Sequence, residues 1–253
     1  MADLKPTVSI IVACYNSQST IARTIDSILA QSFKSWELII IDDCSTDNSA
    51  SLIKNYADND SRIIYLKTSR NTGAPSSPRN IGIKNASGLY IAFVDSDDMW
   101  LPDKLQQQIQ LIEQNNYDLV YSHYEKVNNK YKRNGRIIKT RHKTTYNDLL
   151  KSNHIPFLTS VVKRSAIGET LFKNIPQEDY CFWLDILKKG ITAHNLCKVT
   201  ALYRDSKSSR SANKWQMAQG FWNVIRKHQN IGLLRCWYYM INYTIAGFLK
   251  YIR

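Results

Sequence analysis

Cysteine is sparse in this sequence and never closely paired. Its five copies, Cys14, Cys44, Cys181, Cys197 and Cys236, are odd in number and contain no CxxC spacing. This argues against a disulfide framework or a zinc site and fits a reducing compartment. Long hydrophobic runs are also missing. The nearest approach to a spanning segment, Ile231 to Leu249, is interrupted by Arg235 and Asn242, so a membrane-crossing helix is not expected. The early apolar stretch, Val8 to Cys14, is too short for a signal peptide. Internal repeats and low-complexity tracts are absent. With 43% hydrophobic and 22% charged residues, a disordered ground state is not expected either. Acid is scarce in one half only. Residues 121–253 hold 24 basic and 7 acidic side chains, a net of +17, whereas residues 1–120 hold 10 and 14, a net of −4. A protein that coats nucleic acid is more often basic throughout or in a defined motif. No helix-turn-helix, zinc finger or RNP-type aromatic motif is present.

The 253 residues suit one large domain, or one domain with an appendage. The first half alternates strand and helix signals. Val8 to Ala13, Leu38 to Ile41, Ile63 to Leu66, Leu89 to Val94 and Asp118 to Tyr121 are short apolar runs suited to strands buried on both faces. Between them, Ser19 is placed to cap a helix carrying Ile21, Ile25, Ile28 and Leu29, and Ser45 to Asp47 to cap one reaching Tyr56. A helix around Arg79 to Asn85 follows, and Pro102 opens another bearing Leu105, Ile109 and Ile112. This alternation predicts right-handed βαβ units and a mostly parallel sheet. After Tyr121 the pattern breaks. Lys126 to Lys143 carries eight basic residues and no acid, with Asn134-Gly135 as a hairpin-turn signal. Ile155 to Val162 and Cys197 to Tyr203 read as strands, Glu178 to Lys189 as a helix stopped by Gly190, and the chain from Ala212 onward as helical and aromatic.

Ligands of open α/β sheets bind beyond the carboxyl ends of the strands. Three such ends carry polar clusters: Cys14-Tyr15-Asn16, Asp42-Asp43 and Asp95-Ser96-Asp97-Asp98. Asp47 and Asp103 read as helix caps. Asp42-Asp43 alone is balanced between capping and ligand binding. The four-residue cluster after strand four favours a hard divalent cation such as Mg²⁺ or Mn²⁺, because crowded carboxylates need a compensating charge.

These segments together carry a resemblance. Val8-Ser9-Ile10-Ile11-Val12-Ala13-Cys14-Tyr15-Asn16, Ile41-Asp42-Asp43-Cys44-Ser45-Thr46-Asp47, Arg79-Asn80-Ile81-Gly82, Phe93-Val94-Asp95-Ser96-Asp97-Asp98 and Glu178-Asp179-Tyr180-Cys181-Phe182-Trp183 resemble, in order, the motifs of family 2 glycosyltransferases of the bacterial surface-polysaccharide type. Each motif is weak alone; five in sequence over residues 7–205 are specific. The resemblance implies a GT-A fold: a Rossmann-like, mostly parallel sheet flanked by helices, with a C-terminal helical appendage. The catalytic domain would span 1–210, with a donor half (1–120) and an acceptor half with a basic hairpin (121–210), and the appendage 211–253.

The same resemblance implies residue roles. Ala13, Tyr15 and Asn16 would line the nucleotide pocket. Asp43 would accept a hydrogen bond from the nucleobase, and an imide N–H suits such an acceptor, which favours UDP; Asp42 would support the loop. Arg79 would offer a charged fork to the donor diphosphate. Asp95 and Ser96 would border the nucleotide, and Asp97 with Asp95 would hold the divalent metal that stabilises the leaving diphosphate. Asp98 and Glu178 would serve nearby or on the acceptor side. Asp179 would be the general base of an inverting, in-line displacement on the anomeric carbon. Taken alone, Glu178-Asp179 is an acid pair suited to a helix N-terminus; beside the other motifs it reads as the base. Trp183 either stacks beneath the acceptor sugar or belongs to the core.

Two departures stand out. Pro78 precedes Arg79 where relatives often carry Ala, and Tyr203-Arg204-Asp205-Ser206 lacks the His that many relatives place there. Arg204, Lys207 and Arg210 are then candidates for a loop closing on the diphosphate. The basic second half suits an anionic, lipid-linked saccharide acceptor of O-antigen, capsule or similar synthesis. In the tail, Leu234, Trp237, Tyr238, Ile241, Ile245, Phe248 and Leu249 share one helical stripe, with Arg235, Asn242, Lys250 and Arg253 near the opposite one. That is the pattern of an interfacial helix, or of a helix packed on the protein or a second copy. The expected location is cytoplasmic, peripheral at the inner face of the membrane, with no nucleic-acid partner. Two other readings are weighed: a non-catalytic nucleic-acid binder using 126–143, which would show salt-sensitive binding, and a nucleotidyltransferase, against which Glu178-Asp179 argues.

Overall fold

The computed structural model describes residues 5–205 and 214–252. The first apolar runs become β1 (Val8–Cys14), β2 (Trp36–Asp42), β3 (Ile63–Lys67) and β4 (Tyr90–Phe93). Helices α1 (Ile21–Leu29), α2 (Ser49–Asn59) and α3 (Ser76–Asn85) connect them. The strands lie side by side and parallel in the order β3-β2-β1-β4. Alternation along the strands sorts the core into two layers. Ile11, Ile39, Ile41, Ile91 and Phe93 face one side of the sheet, and Ile10, Val12, Leu38, Ile40 and Ala92 the other. All are fully buried, and each large aliphatic among them stabilises the fold by about 2 kcal/mol.

The sheet continues through β5 (Met99–Trp100), α4 (Lys104–Asn115), β6 (Leu119–Val127), β7 (Arg133–Ile138), β8 (Lys143–Thr144) and the single-turn α5 (Tyr146–Leu149). A 3-10 turn at Phe157–Thr159 leads to β9 (Val161–Lys163) and the single-turn α6 (Arg164–Ile167). Then come α7 (Glu178–Leu187), β10 (Ala193–Arg204), α8 (Lys214–Asn223), a π-helical turn over Val224–His228, and α9 (Leu233–Ile252). The full order is β3-β2-β1-β4-β9-β6-β10-β5, with β7 on β6 and β8 on β10. Strand β9 is antiparallel to both of its neighbours, while β6 and β10 are parallel to each other. This is the GT-A architecture.

Several elements differ from the sequence reading for local reasons. The cap position of α1 is Thr20, not Ser19, because the turn is closed by Thr20 and Ile21 N–H groups donating to Ser17 O. Ile155 to Val162 is a 3-10 turn plus a short strand rather than one strand. The hairpin after β6 exists, but it turns at residues 128–132. There Asn128 Oδ1 accepts the Lys130 and Lys132 N–H groups, and Tyr131 adopts a positive φ. Asn134-Gly135 lies within β7, where Gly135 N–H donates to Glu125. Asp103 sits at the start of α4 but makes no capping bond, whereas Asp47 accepts the Ser49 N–H at the start of α2.

Helix α9 packs Cys236, Tyr239, Met240 and Tyr243 inward. Leu234, Trp237, Tyr238, Ile241 and Ile245 remain exposed, Leu234 at 87%. The face opposite the exposed stripe is therefore apolar and packed, and at 100° per residue Arg235 and Asn242 lie between the two faces rather than opposite the stripe. The Phe248, Leu249, Lys250 and Arg253 side chains lie outside the described residues. Among the described residues no helix is long and apolar enough to cross a membrane.

Candidate active site

Parallel pairing brings the ends of β1, β2 and β4 to one edge, and the loops beyond them are bonded to each other. Asp43 N–H donates to Cys14 O at 2.8 Å, and Asn16 Oδ1 accepts Thr46 N–H at 2.8 Å. The Ser17 and Ser96 hydroxyls meet at 2.8 Å. Ala13 is half-buried at the rim and Tyr15 is exposed beside it. Asn16, with φ 47°, uses its side chain to hold the loop after β2.

Asp42 and Asp43 are both buried but face different partners. Asp42 accepts Ser45 N–H and the Tyr65 hydroxyl. Asp43 accepts the Thr68 hydroxyl and the Thr72 N–H and hydroxyl, all within 3.1 Å. A carboxylate offers about four acceptor positions, so these donors fix its orientation and leave little capacity for another.

Arg79 lies deep in the site because α3 approaches the sheet closely at Gly82. A Cβ there would stand 2.5 Å from Ile11 Cγ2 and 3.0 Å from Ile41 Cδ1. The Arg79 guanidinium donates through Nη1 to Glu178 Oε1 at 2.9 Å and through Nη2 to Asp95 Oδ1 at 2.7 Å. Its carbon is 4.0 Å from the centre of the Phe157 ring, and its side chain is only 4% exposed. The sequence reading pointed this fork at the donor diphosphate; in the structure it faces Asp95 and Glu178. Burial between two carboxylates makes Arg79 a bridge from the end of β4 to the start of α7.

The acids after β4 divide by exposure. Asp95 and Asp97 side chains are 43% and 40% exposed. Asp98 is buried, where its Oδ1 accepts Arg204 N–H at 2.9 Å. Burial and then the charges of Asp95 and Asp97 push the Asp98 carboxyl well above the usual range. Partial burial and Asp95 raise Asp97 as well, against the pull of Arg204, whose Nη1 is 3.6 Å from Asp97 Oδ2. The residues fit a divalent cation: two partly exposed carboxylates of hard oxygen stand side by side, and such an ion offsets their crowded negative charge. Among the described residues no group of three or more His, Cys, Asp or Glu side chains forms a complete cage. One or two carboxylates plus substrate phosphates is the usual Mg²⁺ arrangement. Lys207 and Arg210 lie outside the described residues.

At the start of α7, Glu178 is buried against Arg79 and Asp179 is half-buried beside it. Burial and the Glu178 charge raise the Asp179 carboxyl to about 6, with Arg79 pulling the other way. That value lets the group accept a proton near neutral pH. Trp183 does not face the pocket. It is fully buried among Phe93, Phe157 and Phe182, with ring centres 5.1–6.2 Å away. Helix α7 is buried on nearly every side, so the indole one turn beyond Asp179 points into the core and stacks on no acceptor sugar.

Three further residues shape the site. Asn80 mimics a backbone strand pair, donating to Phe172 O and accepting Phe172 N–H, both at 2.8 Å. Phe172 stacks on Phe182 at 4.0 Å and forms part of the wall around Arg79. The signal was the Arg79-Asn80 pair itself. Tyr131 folds the hairpin tip back onto the site, where its hydroxyl donates to Asp97 O at 3.0 Å. No sequence signal marked it.

Comparison with known proteins agrees with this geometry. The family model described as Glycosyl transferase family 2 matches residues 9–167. The chain is 39% identical over 245 residues, 96% of its length and 94% of the relative's, to the UDP-Glc:alpha-D-GlcNAc-diphosphoundecaprenol beta-1,3-glucosyltransferase WfgD of Escherichia coli. It is 34% identical, over 96% of its length and 97% of the relative's, to the putative teichuronic acid biosynthesis glycosyltransferase TuaG of Bacillus subtilis. Among solved structures, S. aureus TarS 1-349 in complex with UDP-GlcNAc superposes with a TM-score of 0.72 at 22% identity, covering 87% of this chain and 64% of that one. The mannosyltransferase PcManGT of Pyrobaculum calidifontis, in complex with GDP-Man and Mn²⁺, gives 0.70 at 17%, covering 94% and 70%.

Proposed function

The chain belongs to glycosyl transferase family 2 and is a glycosyltransferase, and from that premise we propose that it transfers glucose from UDP-glucose, with inversion, to a GlcNAc-diphospholipid. The observation that carries this reading is the Arg79 fork. It holds a strand-end carboxylate of the donor half and the acid pair of the second half at one edge. Donor chemistry and base chemistry then share a single centre. The sugar and the acceptor are taken from two relatives at 39% and 36% identity, WfgD and WfaP, both named for that reaction.

In this reading Asn16 and Asp43 shape the uridine pocket, and Asp95 and Asp97 hold a divalent cation. The cation would offset the negative charge that grows on the departing diphosphate. Asp179 accepts the proton of the acceptor hydroxyl as that oxygen bonds to the anomeric carbon and UDP departs from the opposite face. Arg79 keeps Asp95 and Glu178 in register. The basic second half and the exposed face of α9 support a position against the cytoplasmic side of the bilayer that would carry the acceptor.

The test is turnover of UDP-glucose with a synthetic GlcNAc-diphospholipid, followed by UDP release and by the anomeric configuration of the product in NMR. Asp179→Asn and Asp97→Ala should each lower kcat at least ~100-fold. Addition and chelation of Mn²⁺ or Mg²⁺ should raise and remove UDP affinity. A product with retained configuration, or full activity of Asp179→Asn, overturns the mechanism.

A further inference from the structure

The C-terminal helices reach the catalytic helix at its most sensitive point. Gln177, in a left-handed conformation with φ 61°, immediately precedes Glu178 and Asp179. Its side-chain amide donates to Met217 O on α8. Helix α8 can come this close because position 220 is glycine: a Cβ there would stand 3.0 Å from Gln177 Nε2. One residue beyond Asp179, the Tyr180 ring stacks on Phe221 of α8 at 5.5 Å and 14°, and Phe221 stacks on Tyr243 of α9 at 4.1 Å and 22°. Farther along α7, Asp185 accepts the Gln229 amide at 2.7 Å. The residue before the acid pair and the residue after it are thus both held by the appendage.

We propose that the α8–α9 pair is a positioning clamp for Asp179, so that the element presenting the exposed stripe of Leu234, Trp237, Ile241 and Ile245 also sets the geometry of the base. This rests on the assignment of Asp179 as base and deepens it. The clamp acts through Gln177 and Tyr180; neither touches the reacting atoms. Among the described residues Asp179 has no side-chain partner across the clamp, and its Oδ1 accepts the Tyr180 N–H. Its direction is therefore set by the backbone at 177–180, which α8 fixes.

Gly220→Ala separates positioning from general stability. Alanine favours a helix over glycine, so the melting temperature should hold or rise. The new methyl should nevertheless push the Gln177 amide off Met217 O and lower kcat roughly 10-fold or more, with UDP affinity and donor KM unchanged. Gln177→Ala should lower kcat similarly. In the double variant the methyl no longer meets the Gln177 amide, so the second change should add nothing to the first. The full-length chain is assayed with UDP-glucose and a water-soluble GlcNAc-diphosphate analogue, and Asp179→Asn is run in parallel. If Asp179→Asn is inactive while Gly220→Ala and Gln177→Ala turn over like the wild type, the clamp is refuted and the base stands. If Asp179→Asn keeps its activity, the base assignment fails and the clamp with it. Losses that multiply in the double variant, or that follow UDP affinity or melting temperature, also refute the clamp.

Discussion

Replacing Arg79 with methionine tests the central ion network. Methionine keeps the packing against Phe157 and removes the charge. Arg79 makes two charge-assisted hydrogen bonds, at 2.7 Å to Asp95 and 2.9 Å to Glu178. Their worth differs. Asp95 is 43% exposed and recovers most of its solvation in water, so its share falls to at most ~1 kcal/mol. Glu178 is 8% exposed and loses its Arg79 ion pair in a buried setting, which costs up to about 3–5 kcal/mol. A total of up to about 4–6 kcal/mol should lower the melting temperature of a chain this size by up to ~8–24 °C. The pH dependence has a defined sign. Arg79 holds the Asp179 carboxyl down against burial and Glu178. Without it, that carboxyl rises further above about 6, so the folded state resists ionisation more strongly than the unfolded chain. The gap between variant and wild type should then widen as pH rises above 6 and narrow below about 5. Thermal melts by circular dichroism from pH 5 to 8 read this directly. Arg79→Lys, which reaches one carboxylate at a time, should fall between the two. A methionine variant within ~2 °C of wild type at pH 8, or one equally destabilised at pH 5 and pH 8, would show that the network is not the buried bridge described here.

Three other outcomes are expected. With Asp179 as the proposed base, the acidic limb of kcat/KM should break near pH 6, with activity present above that value and lost as pH falls through it, because a carboxyl must be ionised to accept a proton; a break near 4 contradicts the raised carboxyl. Lys104 is fully buried over the Trp100 ring, with no hydrogen-bond partner for its ammonium among the described residues, and burial holds it well below its usual range. Lys104→Met should therefore raise stability at pH 7 by ~1–3 kcal/mol and abolish the rise in stability that the wild type shows toward alkaline pH, as read in urea titrations; a destabilised variant refutes this. Trp237→Ser with Ile241→Ser should lower co-sedimentation with anionic vesicles at unchanged turnover of a soluble acceptor, and undiminished binding would remove the α9 face from the membrane reading.

The fold of the first half was legible because its strands are short apolar runs ending in polar residues, and a parallel sheet aligns such ends wherever the helices lie. The five motifs located the same edge. Sidedness was not legible. Helix α7 is apolar almost all round, so no periodicity could tell whether Trp183 faced a sugar or the core. The pairing of Arg79 with Glu178 was not legible because the two are 99 residues apart. The hairpin turn was misplaced because Asn134-Gly135 is the stronger local signal. The observed turn is stabilised by Asn128 and by Tyr131 reaching Asp97, a contact that exists only in the folded molecule.

The short antiparallel strand β9 has a consequence for synthesis. It separates β4 from β6, so the sheet cannot close until residues 161–163 leave the ribosome, and Glu178 follows later still. The β1–β4 unit has local connections and can fold first. At that stage Asp95 and Arg79 can already meet, and Arg79 lacks its second carboxylate. The nascent chain can thus form the edge that carries Asp95 before it carries Glu178 and Asp179, and the arrival of α7 gives Arg79 its second carboxylate.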